Sequence, residues 1–231
     1  EGEVPVAKLA ELQKGWIRLQ DGVPVAYLTH LKEFYGLSFY VDERVLVPRP
    51  ETELLVDLVL ERAKKGVLEL GTGSVDIACA IKSNRSELVV MATDVSSEAL
   101  EVASKNCVQL GLEVELLQAD LLENVPSVEA DVLVANLPYI GRVTHADLAE
   151  NVRKHEPHLA LFGGEDGLSL YERLFDQIKA QGRDFQFILG EIGFSQGEDI
   201  RKLCKEKLPA YRFSLFQDLQ GLDRHFVLES V

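Results

Sequence analysis

Residues 67–74 read Val-Leu-Glu-Leu-Gly-Thr-Gly-Ser, a short apolar run that leads into two glycines. The run from Val67 to Leu70 predicts a buried strand, and residues 77–82 after the turn have the pattern of a helix. Gly71 and Gly73 allow a ligand to approach the backbone closely, and the N–H groups at the start of the helix face that ligand. A strand, a glycine turn and a helix in this order predict the first unit of an α/β fold, with a ligand site at the carboxyl end of the strand.

The rest of the sequence continues this alternation of strands and helices. Strands are predicted at residues 88–93, 113–117, 131–135 and 185–191, and helices near 51–64, 77–83, 97–110, 146–152 and 168–181. A late helix at 196–207 precedes strands near 211–217 and 224–229, whose short connection predicts an antiparallel hairpin at the sheet edge. We therefore expect an α/β fold with a doubly wound, mostly parallel, seven-stranded sheet.

Acidic residues follow the second and third predicted strands of this sheet. Asp94 ends the second strand, where a carboxylate is placed to accept hydrogen bonds from both hydroxyls of a ribose. Asp120 follows the third strand. Together with the glycine turn, these residues predict a site for an adenosine-containing ligand. The plain alternative is that Asp94 only caps the following helix.

The four residues Asn136-Leu-Pro-Tyr139 directly follow the apolar run at 131–135. A proline does not continue a sheet, so the turn lies at the carboxyl end of a strand. The Asn136 side-chain oxygen and the Leu137 carbonyl are able to accept both N–H bonds of one planar NH2 group, and the Tyr139 ring is able to cover its flat face. The turn therefore predicts a site for an amide or an exocyclic amine, the alternative being that Asn136 merely caps a turn before proline.

The glycine turn alone does not distinguish a nicotinamide dinucleotide from S-adenosylmethionine. The dinucleotide fingerprint requires a third glycine three residues after the second, and this position is Asp76, whose carboxylate would repel a pyrophosphate. S-adenosylmethionine has no phosphate and carries cationic amino and sulfonium groups, which tolerate Glu69 and Asp76 as neighbours. The sequence therefore favours methyl transfer from S-adenosylmethionine to the bound nitrogen.

Several motifs in a fixed order carry a resemblance to one family. They are Phe34-Tyr-Gly-Leu-Ser-Phe39, Val45-Leu-Val-Pro-Arg-Pro-Glu-Thr-Glu53, Glu69-Leu-Gly-Thr-Gly-Ser74, Asn136-Leu-Pro-Tyr139, Glu156-Pro157 and Ala160-Leu-Phe-Gly-Gly-Glu-Asp-Gly167. From about Gly22 to its end, the chain resembles the HemK/PrmC family of glutamine-N5 methyltransferases, which modify the Gly-Gly-Gln loop of peptide-chain release factors. The resemblance implies the S-adenosylmethionine-dependent methyltransferase fold and a release factor as the protein substrate.

The resemblance also implies the residues of the site. We expect the substrate glutamine to bind at the catalytic residues Asn136, Leu137, Pro138 and Tyr139. We expect S-adenosylmethionine, and S-adenosylhomocysteine as its product, to bind at Glu69, Gly71, Thr72, Gly73, Ser74, Val75, Asp94, Asp120, Leu121 and Asn136. No metal is expected.

Two residues depart from the pattern of this family. The family's turn usually reads Asn-Pro-Pro-Tyr, and Leu137 replaces the first proline, which keeps the carbonyl acceptor but makes the turn less rigid. The family's glycine turn usually has a third glycine where this chain has Val75. We expect the β-branched Val75 side chain to crowd the methionine end of the cofactor and to lower its affinity.

The 231 residues are enough for one domain with a small appendage. We expect residues 1–21 to be the remnant of the N-terminal helical domain that members of the family carry, since the chain begins at Glu1. Residues 22–50 are expected to form a β-hairpin and linker, with Phe34 to Phe39 and Val41 to Val47 as short strands. Residues 51–231 are expected to form the methyltransferase domain.

Composition limits the class of protein further. Three cysteines are an odd number without metal-ligand spacing, which predicts reduced thiols in the core. No apolar stretch has the length of a membrane span, and the first residues do not have the pattern of a basic, apolar signal sequence. These features indicate a cytoplasmic enzyme with no membrane contact, which we expect to be a monomer.

The net charge of −14 bears on the choice of substrate. An enzyme that methylates rRNA or DNA must neutralise phosphates and usually presents a basic face. The sequence of this acidic chain shows no such face, so we expect no direct contact with nucleic acid. The first alternative is nevertheless an adenine-N6 methyltransferase acting on rRNA or DNA, because it shares the Asn-Leu-Pro-Tyr turn. The second is a non-catalytic binding protein that has lost cofactor affinity through Val75.

Overall fold

The computed structural model describes residues 6–141 and 148–231, in which strands and helices alternate. The strands are β1 (Lys32–Phe34), β2 (Leu37–Phe39), β3 (Gly66–Leu70), β4 (Val89–Asp94), β5 (Glu115–Gln118), β6 (Val132–Ala135), β7 (Phe187–Glu191), β8 (Tyr211–Gln217) and β9 (Asp223–Ser230). The helices are α1 (Val6–Gln20), α2 (Val25–Thr29), α3 (Glu53–Leu60), α4 (Asp76–Asn84), α5 (Ser97–Leu110), α6 (Glu150–His155), α7 (Ser169–Gln181) and α8 (Gly197–Lys207), with 3-10 turns at Pro50–Thr52 and His158–Ala160.

Seven strands form one sheet in the order β5-β4-β3-β6-β7-β9-β8. The first five of these are parallel, whereas β9 runs antiparallel to both β7 and β8. The strand order reverses between β3 and β6, and ligands of open α/β sheets bind outside the carboxyl ends of the strands at this point. The doubly wound, mostly parallel sheet with an antiparallel edge hairpin is therefore confirmed.

The two faces of the sheet bury separate apolar layers. Val67 and Val132 pack in the layer that contains α3, α4 and α5. Leu68 and Leu133, the next residue of each strand, pack in the layer with α7 and α8. Successive side chains of a strand point to opposite faces, so a strand that is covered on both faces is apolar at nearly every position. This is why the sheet strands are recognisable as short apolar runs.

The N-terminal region differs from the prediction in its strands. β1 and β2 form an antiparallel hairpin, with Tyr35 and Gly36 at positive φ in its turn. The predicted strand at 41–47 is wrong, because the Asp42 carbonyl and carboxylate accept hydrogen bonds from the N–H groups of Val45 and Arg44 and bend the chain into a turn. A short polar side chain that bonds to nearby backbone in this way competes with sheet pairing.

The remaining expectations concern helices and thiols. The helix predicted near 146–152 is found at Glu150–His155, while residues 146 and 147 lie outside the described part of the chain. Helix α1 lies within the predicted segment 1–21, of which residues 1–5 are not described, and the domain boundaries stay predictions. Cys79, Cys107 and Cys204 are buried free thiols. Among the described residues, no helix is both long and apolar enough to cross a membrane.

Candidate functional site

A cavity of about 270 Å³ lies at the carboxyl ends of β3, β4 and β6. Every cofactor residue predicted from the sequence, except Val75, contributes to its wall: Glu69, Gly71, Thr72, Gly73, Ser74, Asp94, Asp120, Leu121 and Asn136. These residues come from separate stretches of the chain. They meet because parallel strands bring their carboxyl ends to the same edge of the sheet.

The glycine turn is held by a buried carboxylate. Glu69 Oε2 accepts hydrogen bonds from the Thr72 hydroxyl at 2.8 Å and from the Ala78 N–H, in the first turn of α4, at 3.1 Å. Burial, reinforced by the nearby charge of Asp76, raises the pKa of the Glu69 carboxyl well above its usual range. Gly71 has a φ of 72°, and a Cβ at this position would lie 3.3 Å from a methyl group of Leu137. The positive φ and this close approach therefore favour glycine where the glycine turn passes the Asn-Leu-Pro-Tyr turn.

The Asp94 carboxylate fixes the opposite side of the glycine turn. Its Oδ2 accepts the Gly73 N–H at 2.8 Å, and its Oδ1 accepts the Ser96 N–H at 2.9 Å. The helix cap is Ser96, which accepts the Ala99 N–H at 3.1 Å, so the alternative that Asp94 caps α5 is wrong. Burial raises the pKa of the Asp94 carboxyl. Each carboxylate oxygen retains the capacity to accept a further hydrogen bond from a ligand hydroxyl.

Val75 is the one predicted cofactor residue that the structure does not bring to the cavity. Its side chain is fully buried in the apolar layer that packs against α3 and α5. The expectation that this side chain crowds the cofactor is therefore wrong. Its backbone has a φ of 65° and ψ of 25° at the start of α4, a left-handed conformation that is costly for a β-branched residue.

Asp76, for which the sequence predicted only a tolerated neighbour of the cofactor's cationic groups, is a residue of the cavity wall. It is the first residue of α4, and its Oδ1 accepts a hydrogen bond from the Ser74 hydroxyl at 2.7 Å. Burial raises the pKa of the Asp76 carboxyl to about 6. The available signal was its place directly after the glycine turn. Above about pH 6 the Asp76 carboxyl is ionised, and it then makes one end of the cavity attractive to a cation.

A second cavity, of about 560 Å³, lies on the other side of the Asn-Leu-Pro-Tyr turn. Asn136, Leu137 and Pro138 line both cavities, whereas Tyr139 lines only the second. Arg49 also lines both, and the only sequence signal for it was the Pro-Arg-Pro-Glu-Thr-Glu motif. The turn therefore stands at the junction of two spaces, so that a group bound in one is able to meet a group bound in the other.

The Gly-Gly-Glu-Asp-Gly loop supports the backbone of this turn. A Cβ at Gly163 would lie 2.1 Å from the Pro138 carbonyl oxygen, and one at Gly167 would lie 2.0 Å from the Tyr139 carbonyl oxygen. Only glycine allows so close an approach. Gln196 Nε2 also donates to the Tyr139 carbonyl at 2.9 Å. These contacts hold the turn in a chain that has Leu137 in place of proline.

Two oxygen acceptors are available at the junction of the cavities. Asn136 Nδ2 donates to the Thr52 hydroxyl oxygen at 3.2 Å, so the amide oxygen Oδ1 is directed away from Thr52. This partner belongs to a distant segment, which excludes the alternative that the Asn136 side chain merely caps its own turn. No backbone N–H group of the described residues outside the helices and strands donates to the Leu137 carbonyl. The arrangement is suited to accept both N–H bonds of an NH2 group.

Comparison with known proteins assigns this architecture to methyltransferases. A family model described as the methyltransferase small domain matches residues 50–165. The chain is 39% identical over 209 residues to a release factor glutamine methyltransferase of Streptococcus pneumoniae, a match that covers 89% of this chain and 75% of the relative. It is 40% identical over 215 residues to the release factor glutamine methyltransferase of Bacillus subtilis, with the same coverage.

Solved structures of low sequence identity share the fold. A methyltransferase from Pyrococcus furiosus has a TM-score of 0.64 at 17% identity, covering 93% of this chain and 96% of that chain. The tRNA (uracil-54, C5)-methyltransferase of Pyrococcus abyssi, solved in complex with S-adenosyl-L-homocysteine, has a TM-score of 0.56 at 13% identity, covering 87% of this chain and 44% of that chain. At these identities the likeness concerns the fold alone.

Proposed function

The chain belongs to the family of release factor glutamine methyltransferases, and we propose that it methylates the side-chain amide nitrogen, N5, of the glutamine in the Gly-Gly-Gln loop of a peptide-chain release factor. The observation that carries the proposal is the position of Asn136 and Leu137, two oxygen acceptors on consecutive residues at the junction of two cavities. One cavity would hold the methyl donor, and the other would hold the substrate side chain.

S-adenosylmethionine is the methyl donor in this proposal, and it supplies an electrophilic methyl group on a sulfonium cation. We assign its site to Glu69, Gly71, Thr72, Gly73, Ser74, Asp94, Asp120, Leu121 and Asn136. The residues of the cavity fit the molecule, because Asp94 offers acceptors for ribose hydroxyls, and the Asp76 carboxylate attracts its cationic groups.

The main task of the protein is to orient a poor nucleophile. The lone pair of an amide nitrogen is delocalised into its carbonyl group, so the nitrogen reacts only when it is held in a favourable geometry. Asn136 Oδ1 and the Leu137 carbonyl would accept its two N–H bonds and aim the lone pair toward the donor cavity, with the Tyr139 ring against the amide. As positive charge develops on the nitrogen, the same oxygens stabilise it, and the proton then leaves to water.

The charge of the protein supports a protein substrate over a nucleic acid. A net charge of −14 opposes phosphate binding and favours a basic protein loop. Adenine-N6 methylation of rRNA or DNA is the runner-up because its exocyclic amine would suit the same acceptors. The alternative of a non-catalytic binding protein was based on crowding of the cofactor by Val75. It is no longer supported, because the Val75 side chain is buried away from the cavity. A monomeric state without direct nucleic acid contact stays part of the proposal.

The decisive experiment incubates the protein with S-adenosylmethionine labelled in its methyl group and a purified release factor. We expect label on the glutamine of the Gly-Gly-Gln loop, located by mass spectrometry of the loop peptide. A release factor in which this glutamine is replaced by glutamate is the matched control and should take up no label. Label on rRNA or DNA in place of the loop would reject the proposal.

A further inference from the structure

Both polar side chains of the catalytic turn are connected to one buried carboxylate, that of Glu191 at the end of β7. Glu191 Oε2 accepts a hydrogen bond from the Thr52 hydroxyl at 2.7 Å, and its Oε1 accepts one from the Tyr139 hydroxyl at 3.2 Å. The Thr52 oxygen in turn accepts from Asn136 Nδ2 at 3.2 Å. We refer to Asn136, Thr52, Glu191 and Tyr139 as the Glu191 network.

The direction of each hydrogen bond in this network follows from the number of available protons. A carboxylate is an acceptor only, and a hydroxyl has a single proton to donate. The Thr52 proton is therefore directed at Glu191, and the Thr52 oxygen is left to accept from the Asn136 NH2 group. As a consequence, Asn136 Oδ1 is the end of the amide that is directed away from Thr52, and it is an acceptor on a residue that lines both cavities.

We propose that Glu191 is a positioning residue whose carboxylate, acting through Thr52, determines which end of the Asn136 amide faces the substrate. The inference rests on the proposed function for the identity of that substrate. With the opposite orientation, Asn136 would present an NH2 group to the NH2 group of glutamine, and the acceptor that stabilises the developing positive charge would be lost.

The surroundings of Glu191 support this role. His225 Nε2 lies 3.3 Å from Glu191 Oε2, and its Nδ1 has no hydrogen-bond partner in the described part of the chain, which favours the tautomer that donates to Glu191. The Tyr171 hydroxyl lies 3.0 Å from the Ala135 carbonyl oxygen and 2.7 Å from that of Glu191. It fixes the distance between the strand ends that carry Asn136 and Glu191.

A first set of variants tests the direction of the hydrogen bonds. Glu191→Gln preserves the size of the side chain but introduces a donor, which allows the Thr52 hydroxyl to turn toward Asn136 and the Asn136 amide to reverse. We expect kcat to fall by at least about tenfold, with the affinity for S-adenosylmethionine and the Tm nearly unchanged. Thr52→Val should cause a similar loss, whereas Thr52→Ser, which retains the hydroxyl, should restore most of the turnover.

The same variants separate positioning from a purely structural role. A release factor with glutamate in place of the loop glutamine serves as an inhibitor of the parent protein and of Glu191→Gln. Because the reversed Asn136 amide presents donors, the variant should gain preference for the glutamate loop over the glutamine loop by about tenfold. If Glu191→Gln binds both loops more weakly by the same factor, with no change in preference, Glu191 only supports the fold. This result would overturn the proposal.

The orientation of Asn136 is also measurable without any release factor. Side-chain amide protons of Asn136, assigned by their loss in Asn136→Asp, should exchange with solvent more slowly in the parent protein than in Thr52→Val. This result would support the Glu191 network even if no release factor were methylated, so the failure of one proposal is distinguishable from that of the other. Equal exchange rates in the two proteins would show that the hydrogen bond to Thr52 is absent and would refute the inference.

Discussion

Arg49 forms an ion pair with Glu156, with Nη2 of the arginine 2.5 Å from Oε1 of the glutamate, across a separation of 107 positions in the chain. The second Glu156 oxygen accepts the Val47 N–H at 3.1 Å, and the glutamate side chain is only 1% exposed. The Pro-Arg-Pro-Glu-Thr-Glu and Glu-Pro motifs are thus parts of one contact, which anchors the segment that lines both cavities.

Loss of this ion pair should destabilise the fold. Arg49→Met leaves the buried Glu156 carboxylate without its cation, and we expect the free energy of unfolding to fall by about 3 kcal/mol, the low end for buried pairs because Arg49 is partly exposed. The double variant Arg49→Met with Glu156→Gln removes the unpaired charge and should recover part of the loss. Urea unfolding measures both, and a double variant less stable than Arg49→Met would contradict this account.

Asn136→Ala should lower the rate of methyl transfer without weakening the binding of S-adenosylmethionine. We expect turnover to fall on the order of a hundredfold, because the substitution removes an acceptor that orients the amide and stabilises charge in the transition state. Cofactor affinity should change little, since the other residues of the first cavity remain. Steady-state kinetics and calorimetry give the two quantities, and normal turnover in this variant would count heavily against the proposed role.

Asp94→Ala should weaken the binding of S-adenosylmethionine by at least about tenfold, because charge-assisted hydrogen bonds to the two ribose hydroxyls contribute about 1.5–3 kcal/mol each. The variant also removes the acceptors of Gly73 and Ser96, so its Tm should be recorded in parallel. Asp94→Asn retains one acceptor oxygen and should lose less affinity. If calorimetry shows that Asp94→Ala binds S-adenosylmethionine as tightly as the parent protein does, the adenosine site is not at Asp94.

At position 75, directly before α4, glycine should be more stabilising than alanine. Val75→Ala removes two carbons from the core and Val75→Gly removes three, but only glycine adopts the observed φ of 65° without cost. We expect Val75→Gly to be more stable than Val75→Ala by about 1 kcal/mol, and cofactor affinity to be similar in the two. Thermal unfolding with the order reversed would indicate that the left-handed conformation carries no strain.

Cofactor affinity should depend on pH through Asp76. Its carboxyl pKa is raised to about 6, so its ionised fraction increases as the pH rises through this value. A cationic ligand binds better to the ionised form, so affinity for S-adenosylmethionine should increase between about pH 5 and about pH 7. Asp76→Asn should bind more weakly at the upper end and flatten the profile. An unchanged profile in Asp76→Asn would assign the titration to another group.

The amino-acid sequence by itself determined the sheet and the approximate site. Apolar runs such as Val67 to Leu70 and residues 131–135 identified buried strands, because a strand covered on both faces has little choice of residue type. Once the strands are parallel and ordered, the residues that follow them must meet at one edge. The positions of Gly71, Asp94 and Asn136 could therefore be predicted without knowledge of any contact between them.

Only the tertiary structure decided where individual side chains point and what they contact. Val75 lies next to the glycine turn in sequence, yet its side chain enters the core, because a left-handed backbone turns it away from the cavity. The orientation of the Asn136 amide depends on Thr52 and Glu191. Thr52 lies 84 residues before Asn136, and Glu191 lies 139 residues after Thr52. Periodicity and local motifs predict which residues are buried and which backbone conformation they adopt. The direction of a hydrogen bond depends on partners that only folding brings together.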